Sequence, residues 1–207
     1  MTEQYVSAMS KGISICRKFQ PIGLDIFSKI GKSKEAKEAC AKLFLHAAAN
    51  LSIQILKALE NGHLQLGVVG LRSLFEMSVN TAYIFNHPKF QRDKNRANKI
   101  STEYVDLIHS KDAVNHTVLD KKPFKSRAEE VGLGDVYNRN YRILSEWAHL
   151  QGKTPYLYDQ AYGEKFGLSV AENTLHALRN IFDSVCSFYN FNLDPDLERE
   201  VAGYGKS

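Results

Sequence analysis

The sequence predicts an all-α protein, with residues 1–207 forming a single helical domain of about six to eight helices packed as a bundle. Apolar residues recur at helical spacing in one segment after another. The signals that end helices, proline and Asn-Gly among them, fall between these segments. Strand-like alternation of apolar and polar residues is not sustained anywhere, and a length of 207 residues suits one domain.

The first half of the chain contains four of the predicted helical segments. The first covers 3–19 and ends at Pro21, and a short helical turn is expected over 24–30. A helix-favouring segment over 33–60 begins at Ser33 as the N-cap, and Asn61-Gly62 ends it. The fourth segment, 63–86, is the most apolar of the chain, and His87-Pro88 ends it.

The second half continues in the same way. A polar amphipathic helix is predicted over 90–110, with Ile100 and Tyr104 among its inward residues. Two shorter helices follow Pro123 and Asp135, the second running to His149. A capping box from Ser169 to Glu172 predicts the start of the last long helix, over about 170–191.

Composition excludes several classes of protein. The chain is 43% hydrophobic and 24% charged, with only 5 Pro and 13 Gly, which excludes disordered and collagen-like chains. No apolar run reaches the ~20 residues of a membrane span, and the N-terminal residues lack the apolar stretch of a signal peptide. Three cysteines are widely spaced, namely Cys16, Cys40 and Cys186. We therefore expect a reduced, cytoplasmic protein without membrane contact.

The net charge of +4 is unevenly distributed. The stretch 89–99 carries five basic residues and one acid. The stretch 121–127 carries four basic residues and no acid: Lys121, Lys122, Lys125 and Arg127. These stretches either bind phosphate groups, the second through its four basic side chains, or form ordinary solvated faces.

A polar stripe interrupts the apolar 63–86 segment. On a helical wheel, five polar side chains lie within about 80° of one another: Gln65, Arg72, Glu76, Asn80 and Tyr83. Arg72 and Glu76 are four residues apart and can pair, but this satisfies only part of a guanidinium's five donors. Because buried charges need partners, another polar group should face this stripe.

A second stripe lies on the segment 135–150. Asn138, Arg142, Ser145 and His149 share one side of the wheel, with Tyr141 at its margin. Imidazole suits proton transfer near neutral pH, and an arginine can stabilise charge that develops on a phosphate. We predict that Arg72 and Glu76 meet Tyr141, Ser145 or His149 across a helix–helix contact. The cluster is either a functional site or a structural network that fixes helix register.

No cofactor or metal is predicted. His109 and His116 flank Asp112, but no cysteine or carboxylate cluster accompanies them. Gly67 and Gly70 lie inside a helical pattern, where glycine permits close helix packing; no phosphate-binding glycine loop is present.

Two motifs carry a resemblance to known families. LRSLFE (Leu71 to Glu76) and Y-x3-S-x3-H (Tyr141, Ser145, His149) resemble those of a family of bacterial all-helical proteins without an assigned activity. More loosely, Arg142 followed by six residues and His149 is similar to the R-x4-6-H motif of HEPN proteins. Ile143 departs from the HEPN pattern, in which a polar residue usually follows the arginine.

The HEPN resemblance implies a helical bundle, a homodimer and RNA as partner, in a defence or toxin system. His149 and Arg142 would then be the catalytic residues of a metal-independent endoribonuclease. Arg72, Glu76, Tyr141, Ser145 and Asn138 would support them. Two alternatives remain: a non-catalytic module that binds a small ligand or a partner protein at Arg72 and Glu76, or a structural protein.

Overall fold

The computed structural model describes residues 1–30, 35–109, 122–141, 144–145 and 160–205. Within these ranges the chain forms eight α-helices, one π-helical turn and no β-strand, so the predicted all-α class is confirmed. The elements in chain order are α1 (Glu3–Ile30), α2 (Ala36–Glu60), α3 (Leu64–Phe85), α4 (Lys94–His109), α5 (Phe124–Glu130), α6 (Gly134–Val136), the π turn (Tyr137–Tyr141), α7 (Gln160–Tyr189) and α8 (Pro195–Ala202).

Helices α2, α3 and α7 pack against one another and form the centre of the bundle. Helix α1 lies on α2 and α7, α4 lies on α2 and α3, and α8 lies on α1 and α7. The main core contains fully buried aromatic side chains from each central helix, including Phe44, Tyr83 and Phe182. A smaller apolar cluster around Phe75 and Ala128 joins α3 to α5.

Helix α3 has the position that its apolar circumference predicts, because α2, α4, α5 and α7 all contact it. Gly67 and Gly70 allow α2 to approach closely. A Cβ atom at Gly67 would lie 2.5 Å from Leu59 Cδ2, and one at Gly70 would lie 2.5 Å from Ile55 Cγ1. The two glycines therefore mark a close helix–helix contact, as expected.

Burial along α3 is nevertheless uneven. Its C-terminal half is almost wholly buried, whereas Leu66 is 63% and Val69 41% exposed near its N-terminus. Helix α2 has the length and the mean hydropathy of a membrane-crossing helix. Because four other helices pack around α2, it is placed as the core helix of a bundle would be.

Pro21 does not end the first helix. Helix α1 continues through it to Ile30, so the predicted separate turn over 24–30 is the C-terminal part of α1. An internal proline removes one helical hydrogen bond and crowds the carbonyl four residues earlier. Both Pro21 and Arg17 are exposed, so water can reach that carbonyl, while Phe19 and Ile26 anchor the helix in the core on either side.

The predicted start of the last long helix is also wrong. Helix α7 begins at Gln160, so Ser169 and Glu172 lie inside it instead of capping it. Gly167 weakens the helical pattern of this first part, but it is needed there because a Cβ atom would collide with the Tyr5 hydroxyl. Helix α8, which Asp194 caps, has no counterpart among the predicted helices. The predicted N-cap Ser33 lies outside the described residues.

Candidate functional site

The two motifs of the sequence meet at the surface of α3. Arg72 and Glu76 lie one turn apart, with Arg72 Nε 3.3 Å from Glu76 Oε1. Their side chains are 29% and 40% exposed, so solvent and solutes can reach the pair. The Tyr141 hydroxyl, at the end of the π turn, donates a hydrogen bond of 2.5 Å to the same Glu76 oxygen. The predicted contact between Arg72–Glu76 and Tyr141 is therefore present.

Arg72 contacts Tyr141 as well as Glu76. Its guanidinium carbon lies 5.5 Å from the centre of the Tyr141 ring. The ring itself packs against Phe75, Phe124 and Tyr137, with ring centres 4.8–5.7 Å apart. The aromatic cluster thus fixes the position of the hydroxyl, and we call the three polar side chains Arg72, Glu76 and Tyr141 the polar triad.

Electrostatics in the polar triad fix which groups are charged. Burial, reinforced by the hydrogen bond to Glu76, raises the pKa of Tyr141 to about 12. Burial disfavours the charged form of Arg72, but hydrogen bonding to Tyr141 and the Glu76 charge outweigh burial and raise the Arg72 pKa. Near neutral pH the tyrosine is therefore a hydrogen-bond donor and Arg72 a permanent cation.

The π turn explains why Tyr141, a marginal residue on the wheel, is the one that reaches α3. Hydrogen bonds in Tyr137–Tyr141 run from i to i+5, so the spacing of about 100° per residue does not hold there. Asn138 is exposed, and Ser145 is half-buried without a hydrogen bond to the polar triad in the described ranges. Arg142 and His149 lie outside the described residues.

Arg127 differs from the expectation of an exposed phosphate-binding side chain. It is 5% exposed, and its guanidinium donates a hydrogen bond to Asn80 Oδ1 on α3. Within the described ranges its Nε has no hydrogen-bond partner, and burial lowers the Arg127 pKa. The physical reason is the apolar face of α5: Ala128, the next residue, packs in the smaller cluster, and the Arg127 guanidinium carbon lies 5.4 Å from the centre of the Phe124 ring.

The Arg127–Asn80 pair is the part of the site that sequence reasoning missed. The spacing of Phe124, Ala128 and Val131 at i, i+4 and i+7 marks one inward face of α5. Arg127 lies on that face, so the pattern contained the signal. The Asn80 position in the first stripe supplies the partner.

The rest of the second basic stretch is paired with acids. Lys122 Nζ lies 2.9 and 3.0 Å from the two Glu130 oxygens, and this hydrogen bonding raises the Lys122 pKa. The same bond lowers the Glu130 pKa, with a further contribution from His87, whose Nε2 is 3.2 Å away. Lys125 is exposed, 3.8 Å from Glu129. Lys121 lies outside the described residues.

Chemically, the polar triad offers a permanent cation, a carboxyl group that accepts a hydrogen bond, and a phenol donor. Across the described ranges, no group of three or more His, Cys, Asp or Glu side chains could hold a metal ion. Comparison with known proteins finds no match: no family model, no curated protein and no solved structure is significantly similar to this chain.

Proposed function

We propose that this protein is a HEPN-like RNA-processing protein that cleaves RNA without a metal ion. One observation carries the proposal: the LRSLFE motif and the Tyr141 motif, far apart in sequence, meet in one half-exposed network through the bond between Tyr141 and Glu76. A network that is buried by aromatic rings on one side and open on the other is suited to hold a catalytic segment in place.

The proposed roles follow from the chemistry of RNA and from the resemblance. Arg142 directly follows Tyr141 in the chain, so the residue that precedes the R-x6-H motif belongs to the polar triad. His149 accepts the proton of the ribose 2′-hydroxyl, and the 2′-oxygen attacks the adjacent phosphorus. Arg142 stabilises the charge on the phosphoryl oxygens. The bond from phosphorus to the 5′-oxygen breaks and the protonated His149 returns its proton to that oxygen, which gives a 2′,3′-cyclic phosphate and a 5′-hydroxyl.

Incubation of the purified protein with end-labelled single-stranded RNA in excess EDTA tests this function. We expect cleavage that yields cyclic-phosphate ends and that 2′-deoxy substitution at the cleaved nucleotide prevents. His149→Ala and Arg142→Ala should each lower the rate by about 100-fold or more. His176→Ala is the matched control, because this histidine is exposed on α7 and 3.9 Å from Glu172. No cleavage, or equal cleavage by His149→Ala, contradicts the proposal.

A second candidate is a non-catalytic module that binds a small ligand or a partner protein at Arg72 and Glu76. This module is favoured because two basic residues of the stretch 121–127 are not free to bind phosphate. Glu130 neutralises Lys122, and the bundle buries Arg127. Phosphate contacts make RNA binding fall steeply with salt. Affinity for RNA that is absent or independent of salt would therefore favour this module over the ribonuclease.

A further inference from the structure

Two clefts adjoin each other on the outer side of α7. The first, of about 180 Å³, lies between α3, the π turn and α7, and Leu71, Leu144, Phe166 and Val170 form its apolar walls. The second, of about 520 Å³, lies between α1, α7 and the turn after α8. Ser169 lines both clefts, so they meet at this residue, and we call the two clefts together the groove across α7.

Basic side chains follow this groove. Arg139 lies at the first cleft, and Lys165 and Lys11 line the second. All three are exposed, and in the described part of the chain no ion pair neutralises any of them. Among the described residues, the one acid that lines the second cleft is Glu172. The groove therefore keeps an excess of positive charge, in contrast to Lys122 and Lys125, which are paired with acids.

The first cleft adds an apolar compartment beside the polar triad. Leu71, at its floor, directly precedes Arg72 in α3. The Phe166 side chain supplies an aromatic surface, while Ser169 and Asn173 supply polar groups at the rim. Single-stranded nucleic acids bind where aromatic or apolar surfaces take the bases and cations follow the phosphates. The two clefts combine both features.

We infer that single-stranded RNA lies along this groove, with one base in the Leu71–Phe166 cleft and phosphates bound by Arg139, Lys165 and Lys11. The inference rests on the proposed function and names the substrate path for the same site. The sequence predicted that the stretch 121–127 binds phosphate, whereas this path assigns phosphate binding to side chains that the bundle brings together from α1, the π turn and α7.

Binding of a labelled single-stranded RNA, measured by fluorescence anisotropy over a range of salt concentrations, tests the path. Lys165→Ala and Lys11→Ala should each weaken binding and lower the salt slope by about 0.7, the value for one phosphate contact on a single strand. Lys125→Ala, a lysine on α5 paired with Glu129, is the charge-matched control and should change neither.

A second pair of variants tests the groove by charge alone. Ser169 is exposed, so Ser169→Gln and Ser169→Glu should both fold, which helical circular dichroism checks. Ser169→Glu puts a negative charge where the two clefts join and should weaken RNA binding at least tenfold relative to Ser169→Gln. If wild-type protein cleaves RNA but these variants bind as well as the controls, the path is wrong and the ribonuclease proposal stands. If wild-type protein neither binds nor cleaves RNA, both fail.

Discussion

At the residue scale, the Tyr141 hydroxyl connects the two motifs of the sequence, and its loss can be measured. Tyr141→Phe keeps the ring against Phe124 but removes the donor to Glu76. We expect a loss of about 1 kcal/mol in the free energy of unfolding, because the bond involves a charged but half-exposed acceptor. Tyr137→Phe is the control, since its ring belongs to the same cluster. Equal effects of the two variants in urea denaturation would contradict the role of the bond.

In the buried Arg127–Asn80 pair, we expect replacement of the asparagine to cost more stability than replacement of the arginine. Asn80→Ala removes the acceptor of a buried guanidinium and should cost about 1–3 kcal/mol of stability. Arg127→Met replaces the buried cation with an apolar side chain of similar length, which is often neutral or stabilising. Urea denaturation of both variants measures the difference. A larger loss for Arg127→Met than for Asn80→Ala would show that the guanidinium stabilises the fold.

Glu130 should account for part of the loss of folding stability at acidic pH. Hydrogen bonding to Lys122 lowers its pKa in the folded state, so its stabilising contribution is present above the ordinary glutamate pKa of about 4.3. That contribution is lost as the pH falls through the lowered pKa. Glu130→Gln should therefore narrow the stability difference between pH 6 and pH 3, while Glu129→Gln, at an exposed residue, leaves it unchanged. An identical pH profile for Glu130→Gln and wild type in thermal melts would refute this.

At the element scale, the contact between α2 and α3 depends on glycine. Gly70→Ala would place a Cβ atom 2.5 Å from Ile55 Cγ1, so we expect a loss of about 1–3 kcal/mol from overpacking. Gly23→Ala in α1 is the matched control, because its nearest neighbour, Phe182 Cζ, would lie at an ordinary 3.6 Å. Helix propensity then makes Gly23→Ala neutral or stabilising. Ile55→Ala removes the crowded Cγ1 atom, so Gly70→Ala combined with Ile55→Ala should cost less than the sum of the two single losses, and strict additivity would place the strain elsewhere.

The sequence predicted which segments are helical better than it predicted where the helices begin and end. The stop at Asn61-Gly62 was predicted correctly because Gly62 adopts a φ of 78°, which glycine tolerates and other residues rarely do. The local signals at Pro21 and Ser169 predicted the wrong helix ends because packing overrides them. Core side chains keep α1 helical beyond Pro21, and Tyr5 packs against Gly167 in the first part of α7. The π turn has no signature in the apolar pattern, so the wheel could not single out Tyr141 from Ser145 and His149 as the partner of Glu76.

For the candidate site, the same reasoning found the Arg72–Glu76 pair and its contact with Tyr141. Those follow from a simple rule, that charges on an apolar helix need partners. The groove with Arg139, Lys165 and Lys11 was not predictable, because these residues lie on three separate elements and only the tertiary fold brings them together. Local charge runs indicated Arg127 instead, which the fold buries.

At the scale of the whole molecule, the two ends of the described chain lie together in one core. Tyr204, after α8, is 3% exposed and donates a hydrogen bond of 2.9 Å to the Ala8 carbonyl in α1. Thr2 donates to Glu164 at the start of α7, and Lys18 of α1 pairs with Glu200 of α8. The main apolar cluster runs without interruption through α1, α2, α3, α4, α7 and α8. Such a core predicts that the bundle unfolds as a single cooperative unit.

The final prediction tests that cooperativity from the C-terminal end. Tyr204→Ala should cost about 3–5 kcal/mol through the cavity that it leaves, whereas Tyr204→Phe removes one hydrogen bond and should cost about 1 kcal/mol. Because the core is continuous, Tyr204→Ala should speed the slowest amide exchange in α3 as much as in α1. Faster exchange confined to α1 and α8 would show instead that these two helices open separately, and that the protein consists of more than one folding unit.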